Sequence, residues 1–249
     1  MADAAELSGK VAVVTGSARG MGRAITERFA GAGASVVVTD LDGTEGEAVA
    51  TGIRNLGGRA VFVRADSGDE ADNVRAIEAA ISNFGRLDIF VANAGVHNIA
   101  AAADMPLEQF RALCRINLKG PFLGMKHAVN AIRRHGEGGA IVLISSVAGK
   151  IGLPGHTHYC AAKTGVKLMA KAAALELGPE KIRVNSIHPG GIRTQMTAFV
   201  DPDAFGAGVP MGRMGWPDEI AQAALFLASP RGQFITGAEL VVDGGMIIQ

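Results

Sequence analysis

The chain holds one tyrosine, one tryptophan and two cysteines in 249 residues. Cys114 and Cys160 are too few for a disulfide framework or a cysteine-built zinc cluster, and no metal site is expected. Neither sign of charge is in excess, with Lys+Arg and Asp+Glu at 24 each. That balance gives no reason to expect a nucleic-acid backbone or an anionic membrane surface as partner, and leaves a small molecule. No apolar run approaches the ~20 residues of a membrane span, and the opening MADAAELSGK lacks the basic flank and apolar core of a signal peptide. A cytoplasmic location is the expectation. Internal repeats, low-complexity linkers and composition shifts are also missing, so one domain is expected over 1–249. What the chain has in quantity is apolar side chain, 48% of residues, and 34 glycines, enough to build a large core with many tight turns.

Residues 10–40 read as a strand, a glycine turn, a helix and a second strand, half of a dinucleotide-binding unit. Gly16, Gly20 and Gly22 are spaced TGxxxGxG. Placed after a strand and opening a helix, such a turn lets backbone approach a pyrophosphate while the helix N-terminus offers unpaired N–H groups; Ser17, Arg19 and Met21 lie within it. Asp40 closes the second strand, where a carboxylate accepts hydrogen bonds from the adenosine ribose hydroxyls and repels a 2′-phosphate. The competing reading is a turn cap with Asp42 and Gly43. Leu41, apolar where a basic residue would receive that phosphate, supports NAD over NADP.

The stretch AIVLISSVAGKIGLPGHTHYCAAK, 140–163, carries the chemistry. Residues 141–144 read as a strand buried on both faces, which puts Ser146 at its carboxyl end, where open α/β sheets bind ligands. A helix then runs from Tyr159 to the stop at Gly178-Pro179. Tyr159 and Lys163, four apart, leave one helical face. A phenol of pKa near ~10 is a poor base, and a neighbouring ammonium is expected to lower it by roughly 1–3 units, making Tyr159 a general acid/base. A solvated Tyr-x-x-x-Lys face is the bland alternative; the only tyrosine of the chain at a strand-end loop argues against it. Cys160 sits ~100° further round and is expected to be a small core residue.

Ser146, Tyr159 thirteen residues on and Lys163 resemble the serine–tyrosine–lysine signature of the short-chain dehydrogenase/reductases in their compact form. The resemblance covers essentially the whole chain, and the glycine spacing is the one that family uses. It implies a doubly wound (Rossmann-type) parallel α/β sheet of about seven strands in the order 3-2-1-4-5-6-7, and a fourth catalytic residue, Asn117 in INLKG, holding a water that links the lysine to solvent. The family's lysine also binds the nicotinamide ribose beside the tyrosine. Asp66, followed by Ser67, matches the aspartate that hydrogen-bonds the adenine amino group, an N-cap near Asp69 being the other reading. Asn93-Ala94-Gly95 matches the turn under the nicotinamide ribose, with Ala92 replacing an asparagine. Pro189-Gly190, Ile192 and Thr194 match the turn that contacts the nicotinamide amide and the phosphates. Arg19 stands where relatives using NADP often carry a basic residue. The helices expected over 106–134 and 159–178 resemble the family's main dimer contact, so a homotetramer is expected, with close approach through Ala161, Ala162, Ala170, Ala172 and Ala173.

The implied activity is NAD(H)-dependent interconversion of a secondary alcohol and a ketone. The alternatives are an NADPH-dependent 3-oxoacyl-thioester reductase and a non-catalytic nucleotide sensor. Residues 195–216 read as a substrate lid. Its Met196, Phe199, Val200, Phe205 and Met211, with Leu153 and Pro154 opposite, favour an uncharged alicyclic, terpenoid or steroid-like substrate. Ser146 and Tyr159 would hold the substrate oxygen. His97 and Asn98 receive no role, His188 before its proline reads as structural, and His156 and His158 are placed to hydrogen-bond a second substrate oxygen.

Overall fold

All five residues of β1, Val11–Thr15, are buried, as continuous apolar strands require when helices cover both faces of a sheet. The computed structural model describes residues 6–248. In chain order it contains β1, α1 (Gly20–Gly31), β2 (Ser35–Asp40), α2 (Gly43–Asn55), β3 (Arg59–Arg64), α3 (Glu70–Phe84), β4 (Ile89–Ala92), α4 (Leu107–Cys114), α5 (Gly120–Arg133), β5 (Gly139–Ile144), α6 (Thr157–Leu177), β6 (Ile182–Pro189), α7 (Pro202–Gly206), α8 (Pro217–Ala228) and β7 (Glu239–Val242). The seven strands form one parallel sheet in the order β3-β2-β1-β4-β5-β6-β7, as expected. The order reverses between β1 and β4, and a crevice opens at that switch point beyond the carboxyl ends of the strands.

Side chains of successive strand residues point to opposite faces, and the core divides accordingly. Val14, Val36, Val38 and Val142 pack with Ile25, Phe29 and Leu225 of α1 and α8. Val13, Val37, Phe90 and Ile141 pack with Ile77, Ile132 and Val166 of α3, α5 and α6. At the amino end of the sheet the buried Asp88 accepts from Lys10 Nζ (3.1 Å), Arg86 Nη2 (2.7 Å) and the Val11 amide (3.0 Å). This end is tied for stability; the crevice lies at the other.

The expected helix over 106–134 is interrupted. Between α4 and α5, Arg115–Lys119 forms one π-turn with Asn117 inside it. Such an extra residue in a helix re-aims side chains and is frequent at functional sites. Among the described residues no helix is long and apolar enough to cross a membrane.

Candidate active site

The crevice is a groove of about 270 Å³ lined by Gly16, Arg19, Gly20, Met21, Asp40, Leu41, Asp66, Ser67, Asn93, Ala94, Gly95, Thr194 and Met196, all residues expected from the sequence, together with Ala65, Val96, Ile116 and Gln195. The last four flank expected positions but carry no reactive group, so no sequence signal marked them. Gly16 has φ +63°, and a Cβ there would lie 2.8 Å from Ala94 Cα, so the turn needs glycine for both conformation and space. Helix α1 has no side-chain N-cap, which leaves its first-turn amides open to an anion.

Ser17, Gly22, Gly190 and Ile192, expected as cofactor contacts, are not among the residues lining this groove. Ser17 is fully buried, and its hydroxyl donates to Val14 O at 2.9 Å and accepts from Thr39 N at 2.8 Å; it clamps β1 to β2 and does not line the groove. Gly22 is a packing position, since a Cβ would fall 2.1 Å from Gly16 O. Gly190 donates its N–H to Val242 O at 3.0 Å, joining β6, which ends at Pro189, to β7. Ile192 is a core residue whose carbonyl accepts from Thr197 Oγ1 at 2.6 Å.

Asp40 lines the groove, and its carboxylate accepts from Ala18 N (3.0 Å) and Asp42 N (3.1 Å), the turn-capping role weighed for it. Arg19 pairs with the Asp42 carboxylate and donates to Gln195 Oε1 at 2.7 Å, so it bridges the glycine turn and the segment after Thr194. Asp66 accepts from Gly68 N (2.8 Å) and Arg115 Nη1 (2.8 Å). The cap of α3 is Asp69, which accepts from Asp72 N, not Asp66. Asn93 donates to Thr15 O and Gly16 O, while its Oδ1 is buried without a partner.

The reactive groups adjoin the groove at Gly95, where a built Cβ would meet Asn117 Oδ1 at 3.5 Å and Lys163 Nζ at 3.8 Å. Ser146 follows β5, and its Oγ accepts from Ala148 N at 3.1 Å. Its carbonyl accepts at 3.0 Å from Nδ1 of the buried His188, whose Nε2 meets Ser186 Oγ at 2.9 Å. His188 is therefore structural, and what it positions is the serine backbone. Lys163 Nζ, buried, donates to Ile144 O at 2.9 Å and lies 5.7 Å from the centre of the Tyr159 ring. Asn117 is fully buried and exchanges two 2.8 Å bonds with the Val96 backbone. Its amide ties the loop after β4 to the π-turn instead of bonding back along its own helix.

The expected lowering of the phenol pKa is not what this environment does. Burial pushes Tyr159 up to about 12, opposed by its hydrogen bond with Ser146. Burial likewise brings Lys163 down to about 8. Desolvation dominates at both groups, and the Lys163 ammonium, itself stripped of water, is bonded to the Ile144 carbonyl. These shifts set stability against pH. Below pH 8 the folded chain carries a buried ammonium, and across roughly pH 8–10.5 the unfolded chain binds more protons at Lys163, so stability rises with pH there. At Tyr159 the sign is opposite, and stability falls between about pH 10 and 12. Lys163→Met is therefore expected to stabilise the protein near pH 7 by about 2 kcal/mol, after loss of the Ile144 bond, raising Tm by roughly 4–8 °C. The gain should shrink toward pH 10.5. Melting curves at pH 7 and 10 check this, and a lower Tm at pH 7 would refute it.

Two histidines converge where the sequence assigned no catalytic part. His97 and His156 rings lie 4.9 Å apart; His97 stands edge-on to Tyr159 at 5.3 Å, and Phe199 stacks on His97 at 6.0 Å. Their placement in loops at the carboxyl end of the sheet was the only available signal. His158 does not face the cleft with them. It is fully buried and bonded to the Asn98 side chain, holding the two loops together. Cys160 is half-buried, its Sγ 3.8 Å from Ile151 O, and so belongs to the loop boundary and not to the core. Within 195–216, Phe205 packs on Gly191 and Met211 on Gly244, while Phe199 and Met196 are exposed toward the cleft. Leu153, half-buried, accepts from His156 N with its carbonyl.

A crevice built for a dinucleotide beside a serine, a tyrosine and a lysine defines a nicotinamide-dependent oxidoreductase site, and the comparisons agree. Residues 16–247 match a family model described as "Enoyl-(Acyl carrier protein) reductase". The trans-4-hydroxycyclohexanecarboxylate dehydrogenase of Sinomonas cyclohexanicum is 44% identical, covering 95% of this chain and 92% of its own. The 2,5-dichloro-2,5-cyclohexadiene-1,4-diol dehydrogenase LinX of Sphingobium indicum is 41% identical, covering 96% of each. A short-chain type dehydrogenase/reductase of Mycobacterium marinum superposes with a TM-score of 0.95 at 36% identity over 100% and 99% of the two chains. The chain belongs to the short-chain dehydrogenase/reductase family and is an oxidoreductase acting on CH–OH groups.

Proposed function

We propose that the protein uses NAD(H) to interconvert a cyclic secondary alcohol and its ketone. The observation that carries this is the position of Lys163 Nζ: it lies beside the ring of Tyr159, itself hydrogen-bonded to Ser146, and 3.8 Å from where a Cβ on Gly95 would stand in the groove that Gly16, Asp40 and Ala94 also line. The groove suits the dinucleotide: the Cβ-excluding cradle at Gly16, the uncapped start of α1 and the orphaned Asn93 Oδ1 each offer what a bound phosphate or ribose would complete. When bound, the nicotinamide supplies the hydride acceptor or donor. Ser146 Oγ donates to the substrate oxygen, and Tyr159 Oη takes the hydroxyl proton during oxidation and returns it during reduction. Lys163 would hold the ribose hydroxyls, and with a pKa about 8 its ammonium would return a proton to Tyr159 and be reprotonated from solvent. Asp40 selects NAD by repelling a 2′-phosphate, and Arg19, already paired with Asp42, offers that phosphate no free charge. The exposed apolar side chains Met196 and Phe199 suit an uncharged alicyclic, terpenoid or steroid-like body.

A panel of cyclic alcohols, hydroxysteroids, polyols and 3-hydroxyacyl thioesters, followed by NADH formation at mildly alkaline pH, tests the reading. Cyclic alcohols are expected to lead. Thioesters or polyols a hundredfold better would overturn it, as would reduction of a 3-oxoacyl thioester with NADPH alone.

We further place the protein in the cytoplasm as a homotetramer. Ala162, Ala170 and Ala173 face the core, not a partner, leaving Ala161 and Ala172 on the outer face of α6. The apolar groups available for association are Phe110, Phe122, Leu168 and Leu175, with Phe234 fully exposed near β7. A monomer by light scattering at micromolar concentration would contradict the tetramer.

A further inference from the structure

We infer that His97 and His156 form a receptor for a second hydroxyl group of the substrate, so that the preferred substrates are cyclic diols. This rests on the proposed oxidation of cyclic alcohols and deepens it. His156 Nδ1 lies 2.6 Å from Pro154 O. A carbonyl only accepts, so Nδ1 carries the proton, and in the neutral ring Nε2 is left as a lone-pair acceptor. His97 has no hydrogen bond at either ring nitrogen among the described residues and is free to present N–H as a donor. The two rings, 4.9 Å apart beside the Tyr159 ring, therefore offer one acceptor and one donor. A hydroxyl satisfies both at once. A carboxylate or ketone oxygen accepts only, and would face the His156 lone pair.

The surroundings keep His97 neutral and hold the pair in place. Burial, and the neighbouring imidazoles of His156 and His158, hold His97 below the usual histidine range, so a carboxylate meets no standing positive charge. The Ala100 N to Gly155 O bond of 3.0 Å and the His158–Asn98 bond lock the loop carrying His97 to the loop carrying His156. Phe199 stacks on the open face of His97, leaving the ring edge for hydrogen bonding.

The test compares kcat/KM for cyclohexanol, the 1,2-, 1,3- and 1,4-cyclohexanediols and 4-hydroxycyclohexanecarboxylate, with NAD, in the unmodified enzyme and in His97→Phe and His97→Gln. At least one diol should exceed cyclohexanol about tenfold or more, and His97→Phe should lower the diol-to-cyclohexanol ratio by roughly 10- to 100-fold, chiefly through KM. His97→Gln, which retains an N–H donor, should restore part of that ratio. A carboxylate preferred over every diol, or a His97→Phe variant that lowers diol and cyclohexanol equally, overturns the inference while cyclohexanol oxidation leaves the underlying activity standing. No oxidation of any cyclic alcohol removes both.

Discussion

Tyr159→Phe is expected to lower kcat for alcohol oxidation by roughly 10³-fold or more while the Kd for NADH, followed by fluorescence, changes by no more than about twofold. Losing only the hydroxyl removes the group proposed to exchange the substrate proton, and general acid–base catalysis contributes roughly 10²–10⁴-fold. The ring that stands edge-on to His97 and near Lys163 Nζ is preserved, so the cleft keeps its shape and the melting temperature should hold. The pH profile supplies a second readout. With the phenol pushed up to about 12, the fraction of base grows with every step in pH across the neutral and alkaline range, so oxidation should accelerate there and the variant should lose that rise. Turnover above a tenth of the unmodified rate would remove Tyr159 from the reaction.

The second large effect concerns the cofactor. Asp40→Ala with Leu41→Arg should shift the ratio of kcat/KM for NADP to that for NAD upward by about 10²–10³-fold, since a repulsion is removed and a guanidinium is offered to the 2′-phosphate. Leu41 is 56% exposed at the groove rim, where a longer basic side chain has room. The change carries a structural penalty that the sequence did not reveal: the Ala18 and Asp42 amides lose their acceptor, which should destabilise the protein by about 1–3 kcal/mol. Both cofactors assayed on both proteins decide the matter. An unmodified enzyme that already prefers NADPH would mean that the carboxylate of Asp40 does not govern selection.

The features legible in the sequence are those with a local cause. Apolar runs such as 141–144 declare strands buried on two faces, the TGxxxGxG turn requires backbone freedom at Gly16, and the four-residue spacing of Tyr159 and Lys163 puts both on one face of α6. The strand order followed from family resemblance resting on those same motifs. Helix bounds were least legible at Asn117, because a π-turn between α4 and α5 leaves no signature in hydrophobic period.

Only the tertiary structure decided what depends on neighbours distant in the chain. Ser17 looks like a phosphate contact until β2 arrives beside it and takes its hydroxyl. Arg19 looks like a free cation until Asp42 and Gln195 close on it. The direction of the Tyr159 shift depends on how much water its packed surroundings remove, a quantity no spacing encodes. His97 and His156, fifty-nine residues apart, become a pair only because β4 and β5 are adjacent in the sheet and both loops emerge at the same edge. Periodicity and turn chemistry are properties of a few consecutive residues, whereas desolvation and hydrogen-bond partnership are properties of the packed molecule.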